Sequence, residues 1–424
     1  MSPQLHNTVL ISHLFSNTPN DEDNGNLPSS FTEYFRNYKA ETKIISEETT
    51  RSIELCLKKG DLQRAKSVIS DALRVIDNAP INIAVTGESG SGKSSLINAL
   101  RKVKHSGGSA AEVGVIETTM KIKSYEHPKV KNLILWDLPG IGTPKFQPHN
   151  YLEKVEFKKY DFFIIVSSTR FKQHEIDLAK AIRIMKKNYY FVRTKVDSDL
   201  QNEEKCHPQN FDRKNTLKQI RNYCLNNFTG SNIGEPEVFL ISNYDLSDYD
   251  FPVLMDTLIK NLLAEKRHNF LLSMPNITEA AIQKKYNSTK QYIWLNALKD
   301  GVFATVPVVG ILSDMDIEKL KKRLNFYQDL FGVDDESLTF MAKDAQVPVG
   351  QLKKKLKSPY LLEFKKEETL GGLLLKCLEK FASANGGLLA TGLYFTKTYY
   401  LEFHFLDTVA EDAKVLLREA YSKK

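Results

Sequence analysis

The sequence predicts two architectures in one chain: an α/β domain with a mostly parallel sheet covered by helices on both faces, and an all-α helical bundle. Five short apolar segments between residues 81 and 241 alternate with helical patterns, which is typical of a parallel sheet. The first segment leads directly into a glycine-rich loop and a helix. Helical patterns alone precede and follow this region, so the bundle is expected to combine N- and C-terminal segments.

The predicted boundaries lie where these patterns change. Residues 1–29 are rich in Asn, Asp, Pro and Ser and are expected to form a flexible segment. Residues 30–78 supply the N-terminal helices of the helical domain, 79–262 the sheet domain, and 263–424 the C-terminal helical domain. Helical patterns in the C-terminal domain occupy 276–300, 317–331, 336–343, 349–357, 367–384 and 408–421.

Composition excludes several classes of function. With 42% hydrophobic and 26% charged residues, the chain is neither fibrous nor wholly disordered. The four cysteines form no C-x-x-C pair, which argues against a zinc site or a disulfide framework and favours a cytoplasmic protein. A net charge of +7 is modest for 424 residues and does not indicate nucleic-acid binding. No secretory signal precedes the fold, and the longest apolar stretches, 301–312 and 386–395, are shorter than a membrane-spanning helix of roughly 17 to 25 residues.

The first apolar segment, 81–85, precedes a match to the phosphate-binding pattern G-x-x-x-x-G-K-[ST]. Its glycines allow successive backbone N–H groups to point at phosphate oxygens beside a helix N-terminus. Lys93 can reach the β- and γ-phosphates, and the Ser94 hydroxyl can coordinate Mg²⁺. A chance Gly/Ser-rich turn is the alternative, but strand, complete motif and helix coincide here. The predicted nucleotide-binding residues are Gly87, Glu88, Ser89, Gly90, Ser91, Gly92, Lys93, Ser94 and Ser95.

A second motif follows the segment 133–136, where Asp137-Leu-Pro-Gly140 fits D-x-x-G. Asp137 can hold Mg²⁺ through water, while the Gly140 N–H can meet the γ-phosphate. Loss of that phosphate would then release the following loop. The four-residue pattern is weak alone and gains weight from its place after the next core strand.

A third motif, Thr194-Lys195-Val196-Asp197, fits the base-reading pattern [NT]-K-x-D. The Asp197 carboxylate can accept hydrogen bonds from the N1–H and amino group of guanine, which adenine cannot supply, so GTP is preferred over ATP. The Lys195 stem can lie over the purine ring. Thr194 stands where many GTPases have asparagine, so one supporting amide is missing. Ser242 and Asn243 follow the last strand, where backbone N–H groups would meet the guanine carbonyl; an ordinary turn is the alternative.

The loop between the phosphate-binding helix and residue 133 contains Thr118 and Thr119, and Thr119 is predicted to supply a Mg²⁺-bound hydroxyl. Ile141 follows Gly140 where a small GTPase would have a water-positioning glutamine. Isolated subunits should therefore hydrolyse GTP slowly, with the missing group supplied by another loop or subunit. The sheet domain is accordingly predicted to be a Ras-like P-loop GTPase domain.

Six stretches stand in one order along the chain: GESGSGKS (87–94), WDLPGIGT (136–143), YDFFIIVSSTRF (160–171), FVRTKVDSD (191–199), YDFP (249–252) and KRHNF (266–270). In these stretches the chain resembles the interferon-inducible immunity-related GTPases, from about residue 27 to 420. Lys93 places it among the members with an ordinary P-loop lysine. The resemblance implies a dynamin-like GTPase that forms GTP-dependent dimers and oligomers, works with related immunity GTPases, and acts in cell-autonomous immunity on pathogen-containing vacuole membranes.

The resemblance also implies roles for four charged residues, although the residues alone favour an ordinary surface charge for each of them. Glu88 corresponds to a residue that touches the nucleotide ribose across the dimer, and Glu117 to a switch glutamate required for activated hydrolysis. Arg170 and Lys172 correspond to basic interface residues. Arg170 joins Lys93, Glu117, Thr119 and Gly140 in the predicted catalytic set.

One departure from the family concerns membrane attachment. Several members begin Met-Gly and are N-myristoylated, but Ser2 stands in the acceptor position, so no N-myristoylation motif is present. The run of four lysines within 353–357 could favour an anionic membrane surface or simply be a solvated helix face. The alternative function is a regulatory binding protein that holds GDP or GTP, acts through partners and has negligible turnover. An ATPase is disfavoured by Asp197.

Overall fold

The structure is a computed structural model of the chain, and it describes only part of the sequence. Several predictions fall outside the described residues: the segment 1–29, Glu117, Thr118 and Thr119, the Ile141 position, the helix at 367–384 and the apolar stretch 386–395. The described residues are 31, 34–103, 110–112, 121–140, 151–229, 231, 233, 236–301, 314–344, 346–362 and 397–421.

The described residues form a six-stranded sheet with the order β2-β3-β1-β4-β5-β6. All neighbouring strands pair in parallel except β2 and β3, which are antiparallel. The carboxyl ends of the parallel strands therefore share one edge of the sheet, where ligands bind in such folds. The strands are β1 (Ile81–Gly87), β2 (Lys123–Glu126), β3 (Leu133–Asp137), β4 (Phe162–Ser167), β5 (Asn188–Arg193) and β6 (Val238–Leu240).

Each face of the sheet is covered by its own apolar cluster. In β4, Phe162 and Ile164 belong to one cluster, while Phe163 and Ile165 belong to the other. This alternation follows the two-residue period of a strand, and burial on both faces explains why the sequence shows a continuous apolar run. β2 was not predicted because none of the residues in this edge strand is buried and it carries charged side chains at both ends.

The helices of the described residues, in chain order, include those predicted there, with most ends shifted by a few residues and the last helix beginning at Lys397 instead of 408, and four that were not predicted, α4, α6, α8 and α9. They are α1 (Glu47–Lys58), α2 (Leu62–Asn78), α3 (Lys93–Arg101), α4 (Tyr151–Lys154), α5 (Gln173–Ile184), α6 (Val196–Cys206), α7 (Arg213–Asn226), α8 (Phe251–Asn261), α9 (Ala264–Ser273), α10 (Glu279–Gly301), α11 (Asp314–Phe331), α12 (Asp335–Asp344), α13 (Val349–Lys353) and α14 (Lys397–Tyr421).

α6 was not predicted because only Val196 and Leu200 of its eleven residues are buried, which leaves too short an apolar period to detect. Its position matters, because it begins directly after Lys195 and places Asp197 in its first turn. The base-reading motif is therefore the turn from β5 into a helix.

The chain divides into two compact units: a sheet unit, Asn78–Ala281, and a helical unit made of Met1–Asp77 with Ile282–Lys424. In the helical unit the N-terminal segment packs on α10. Gln291 on α10 donates to the Thr42 carbonyl at 3.0 Å, and Tyr34 stacks on Trp294 with ring centroids 4.3 Å apart. These contacts confirm that N- and C-terminal segments form one helical unit. The residue boundaries 79–262 and 263–424 stay predictions.

A helix must be both long and largely apolar to cross a membrane. Within the described ranges, no helix is both long enough and apolar enough to do so.

Candidate functional site

The phosphate-binding loop connects β1 to α3 and is shaped by glycines in conformations that other residues avoid. Gly87 has φ of 143°, and a Cβ atom there would lie 2.0 Å from the carbonyl oxygen of Val166 on β4. Gly92 has φ of 91° and forms the N-cap of α3. The sequence pattern therefore corresponds to real backbone requirements, because side chains at these positions would clash or be strained.

Lys93 is the first residue of α3, and its ammonium group lies against the loop. The residue is only 6% exposed, and Nζ donates to the carbonyl oxygens of Gly87 at 3.0 Å and Glu88 at 2.9 Å. The loop thus holds a buried positive charge beside the N-terminus of a helix. Both features favour an anionic ligand at this point.

Ser94 and Asp137 meet although they are far apart in sequence. The Ser94 hydroxyl donates to Asp137 Oδ2 at 3.2 Å, and Asp137 is 1% exposed at the end of β3. A hydroxyl and a carboxylate are oxygen donors of the kind that Mg²⁺ prefers, so these two residues fit the predicted metal ion. Thr119, the third predicted ligand, lies outside the described residues.

The segment after Asp137 lies against the phosphate-binding loop. A Cβ atom at Gly140 would lie 2.7 Å from the Gly87 carbonyl oxygen, so only glycine allows this approach. Two residues that the sequence analysis missed hold the preceding proline. Tyr151 donates from its hydroxyl to the Pro139 carbonyl at 2.8 Å, and the Thr86 hydroxyl lies 2.7 Å from the same Tyr151 oxygen. No sequence motif points to this pair.

The base-reading motif also contacts the phosphate-binding loop. Thr194 is fully buried, and its hydroxyl donates to the Ser91 carbonyl at 2.6 Å. Lys195 has φ of 59° and is exposed, and Asp197 is partly buried in the first turn of α6. Arg193 stabilises this turn, because its guanidinium donates to the Thr194 carbonyl and to the Asp199 carboxylate.

Ser242 and Asn243 follow β6 and form a turn. The Ser242 hydroxyl accepts from the backbone N–H groups of Tyr244 at 3.1 Å and Asp245 at 3.2 Å. The Asn243 side-chain amide donates to the Gly92 carbonyl at 3.1 Å. Residues of all three predicted nucleotide motifs and of this turn therefore converge at the carboxyl edge of the sheet.

Comparison with known proteins agrees with this geometry. The family model described as Interferon-inducible GTPase (IIGP) matches residues 46–420. This chain belongs to the interferon-inducible GTPase family. The resemblance seen in the sequence is confirmed, and the chain is a GTPase by that membership.

Three relatives from Mus musculus show how far the similarity extends. Interferon-gamma-inducible GTPase 10 is 49% identical over 394 residues, which cover 93% of this chain and 94% of that protein. Interferon-inducible GTPase 1 is 48% identical over 409 residues, covering 96% and 99%. T-cell-specific guanine nucleotide triphosphate-binding protein 2 is 48% identical over 389 residues, covering 92% and 94%. The match is therefore continuous across both the sheet unit and the helical unit.

In this GTPase, Glu88 of the phosphate-binding loop lies beside the start of α5. Its Oε1 is 2.6 Å from Lys172 Nζ and 3.5 Å from His174 Nε2. Glu175 is 1% exposed, and its Oε2 accepts from the Lys172 N–H at 3.0 Å. Burial raises the pKa of the Glu175 carboxyl to about 7; the Lys172 N–H opposes this rise and the Glu88 carboxylate adds to it.

The remaining predicted site residues have separate outcomes. Arg170 is exposed in the turn after β4, with its carbonyl accepting from the Ser167 hydroxyl at 2.9 Å. Glu117 lies outside the described residues. The roles of Arg170, Lys172 and Glu88 at a dimer interface, and of Glu117 in hydrolysis, stay predictions.

Proposed function

We propose that this chain binds Mg²⁺ and GTP at the carboxyl edge of the sheet, self-associates through that face, and hydrolyses GTP faster when associated. The observation that carries the proposal is the convergence of Lys93, Ser94, Asp137, Thr194 and Asn243 described above. Their atoms come from four separate loops, and the contacts between them join the phosphate side of the site to the base side.

Each protein group has a defined task in the proposed reaction. Loop N–H groups and Lys93 bind the phosphates, which requires the ammonium to exchange carbonyl partners for phosphate oxygens. Ser94 and Asp137 would hold Mg²⁺, which when bound neutralises charge on the β- and γ-phosphates. The Gly140 N–H meets the γ-phosphate, and its close approach to Gly87 positions it for that contact.

Guanine specificity rests on Asp197. Its carboxylate, in the first turn of α6, accepts from two guanine donors that adenine lacks. One relative at 48% identity is named a guanine nucleotide triphosphate-binding protein, which supports the same ligand here. Competition of ATP with labelled GDP tests this point, because effective displacement at equal concentration would contradict guanine recognition.

Self-association is proposed for two reasons. Ile141 stands where a small GTPase has its water-positioning glutamine, and the charged residues Glu88 and Lys172 lie partly exposed at the edge of the site. Glu88 and Lys172 pair with each other within one chain, with side-chain exposures of 34% and 47%. At such exposure an ion pair contributes little to stability, so either partner can exchange for a group on a second subunit. Glu117 and Arg170 would complete hydrolysis.

The deciding experiment measures GTP hydrolysis per subunit over a range of protein concentrations. Specific activity is expected to rise with concentration in the wild type and to vanish in Lys93→Ala. Lys172→Ala is expected to keep GDP binding but to lose the increase of specific activity with protein concentration. Lys180→Ala is the matched control, since Lys180 is a lysine of similar exposure (38% against 47%) within α5 and pairs with Asp177 instead of Glu88.

Two outcomes would contradict the proposal. Turnover independent of protein concentration would exclude activation by self-association. Nucleotide binding without phosphate release at high concentration would favour the alternative, a regulatory protein that acts through partner contacts.

We further propose that the chain acts on intracellular vacuole membranes together with related immunity GTPases, as its family membership suggests. The lysine run offers limited support, because Lys353 pairs with Asp335 at 2.7 Å and Lys355 with Glu419 at 2.7 Å. These two charges are partly neutralised within the helical unit. Sedimentation with anionic vesicles in the presence of GTP, GDP or neither would test the proposal, and the absence of any bound fraction would contradict it.

A further inference from the structure

Two side chains tie the base-reading loops to the phosphate-binding loop. The Thr194 hydroxyl, at the end of β5, donates to the Ser91 carbonyl at 2.6 Å. The Asn243 amide, after β6, donates to the Gly92 carbonyl at 3.1 Å. The two acceptors are consecutive, and Lys93 follows them directly. The backbone that presents Lys93 is therefore held from both strands that flank the base side of the site.

Gly92 is enclosed by these same side chains. A Cβ atom at Gly92 would lie 3.1 Å from Asn243 Nδ2 and 3.2 Å from Thr194 Oγ1. Asn243 is 8% exposed and Thr194 is fully buried, so their donor groups are shielded from solvent. The Gly92 carbonyl also accepts from the Leu96 N–H at 2.9 Å, so the Asn243 amide supplies its second hydrogen bond, which contributes about 0.5–1.5 kcal/mol.

The two hydrogen bonds account for the threonine at the first position of the base-reading motif, where many GTPases have asparagine. Threonine at position 194 has a hydroxyl but no amide, and a hydroxyl supplies only one donor. That donor is used on Ser91. The amide that contacts the next carbonyl comes from Asn243, from a different loop.

We propose that Asn243 is a positioning residue for guanine-nucleotide binding, supplying the amide that the threonine-type base motif lacks and coupling the base-reading loops to the phosphate-binding loop. The inference rests on the proposed guanine-nucleotide binding. The hydrogen bonds from Thr194 and Asn243 end on the carbonyls of Ser91 and Gly92, in the loop that binds the α- and β-phosphates. GTP and GDP affinities should therefore depend on Asn243 to a similar degree.

The test compares Asn243→Ala, Thr194→Asn and the double variant, using fluorescently labelled GDP and a non-hydrolysable GTP analogue. Asn243→Ala is expected to raise both dissociation constants about tenfold, which corresponds to about 1.4 kcal/mol. Thr194→Asn in the same chain is expected to recover most of this loss, because it restores an amide beside Gly92. At saturating GTP, turnover should change less than twofold, so the loss appears in KM.

Asn215→Ala serves as the matched control, because Asn215 is an exposed asparagine on α7 of the same unit. Thermal unfolding of the nucleotide-free proteins checks that each variant folds. If Asn243→Ala does not fold, Asn243→Leu keeps a similar side-chain shape while removing the donor without adding a charge, and the same loss of affinity is expected.

Unchanged affinity in Asn243→Ala, with wild-type binding intact, would overturn this inference alone. A loss that Thr194→Asn does not recover would also overturn it, because Asn243 would then be a structural residue of its own turn. If the wild type bound no guanine nucleotide, the proposed function would fail first.

Discussion

Replacing Tyr151 by phenylalanine tests how the segment next to Gly140 is held. Tyr151 is fully buried; its hydroxyl donates to the Pro139 carbonyl at 2.8 Å and lies 2.7 Å from the Thr86 hydroxyl. In the variant, the Pro139 carbonyl would keep only the weaker contact from Thr86, at 3.5 Å. Leaving a buried acceptor poorly satisfied costs about 1–3 kcal/mol, so the unfolding free energy of the sheet unit should fall by that amount.

Urea unfolding followed by tryptophan fluorescence measures this loss. Trp136 lies in the sheet unit and Trp294 in the helical unit. A Trp294→Phe background, shared by every variant compared, would therefore assign the signal to the sheet unit. Tyr223→Phe is the control, because Tyr223 is 53% exposed on α7 and should change stability by less than about 0.5 kcal/mol.

Two further measurements make the reasoning refutable. Thr86→Val and Tyr151→Phe should be non-additive by at least about 0.5 kcal/mol, since their hydroxyls share one network. GTP affinity should fall more than GDP affinity, because only GTP carries the γ-phosphate that Gly140 is proposed to meet. If Tyr151→Phe matched Tyr223→Phe in stability, the hydroxyl would not be holding Pro139 and the argument would be wrong.

The remaining predictions concern the phosphate-binding loop and its neighbour Glu175. Gly87→Ala should destabilise the sheet unit by about 3 kcal/mol or more, because its Cβ would lie 2.0 Å from the Val166 carbonyl. Gly90→Ala is its control: it also has positive φ but no atom within 4 Å of a Cβ, so urea unfolding should show a loss of only about 1–2 kcal/mol. Burial raises the pKa of Glu175 to about 7 from an ordinary value of 4.5. The folded state therefore holds the proton more tightly than the unfolded state, and stability falls as pH rises from about 4.5 to 7. The full cost, about 3 kcal/mol at most, is present above pH 7. Glu175→Gln should remove this pH dependence and be more stable than the wild type at pH 8; equal slopes for the two proteins between pH 5 and 8 would contradict the assignment.

The sequence by itself determined the α/β class and the identity of most of the proposed site. Apolar runs such as 162–166 report a strand buried on both faces, and each motif follows such a run, so its place at the carboxyl edge could be predicted. The glycines of the P-loop and D-x-x-G patterns could be recognised in the sequence because the backbone requires them. Gly87 has a φ that other residues avoid, and Gly140 lies too close to the Gly87 carbonyl to carry a side chain. Elements with little burial, such as β2 and α6, were missed, since they lack the apolar periodicity that reveals a strand or a helix.

Only the tertiary structure decided which groups touch across long stretches of sequence. Tyr151 and Thr86 carry no motif, yet they hold the segment before Gly140 through hydrogen bonds. The amide that Thr194 lacks is supplied by Asn243, and nothing local in either segment indicates that pairing. Likewise, the pKa of Glu175 depends on burial against the fold, and side-chain burial is a property of packing that a linear pattern does not contain.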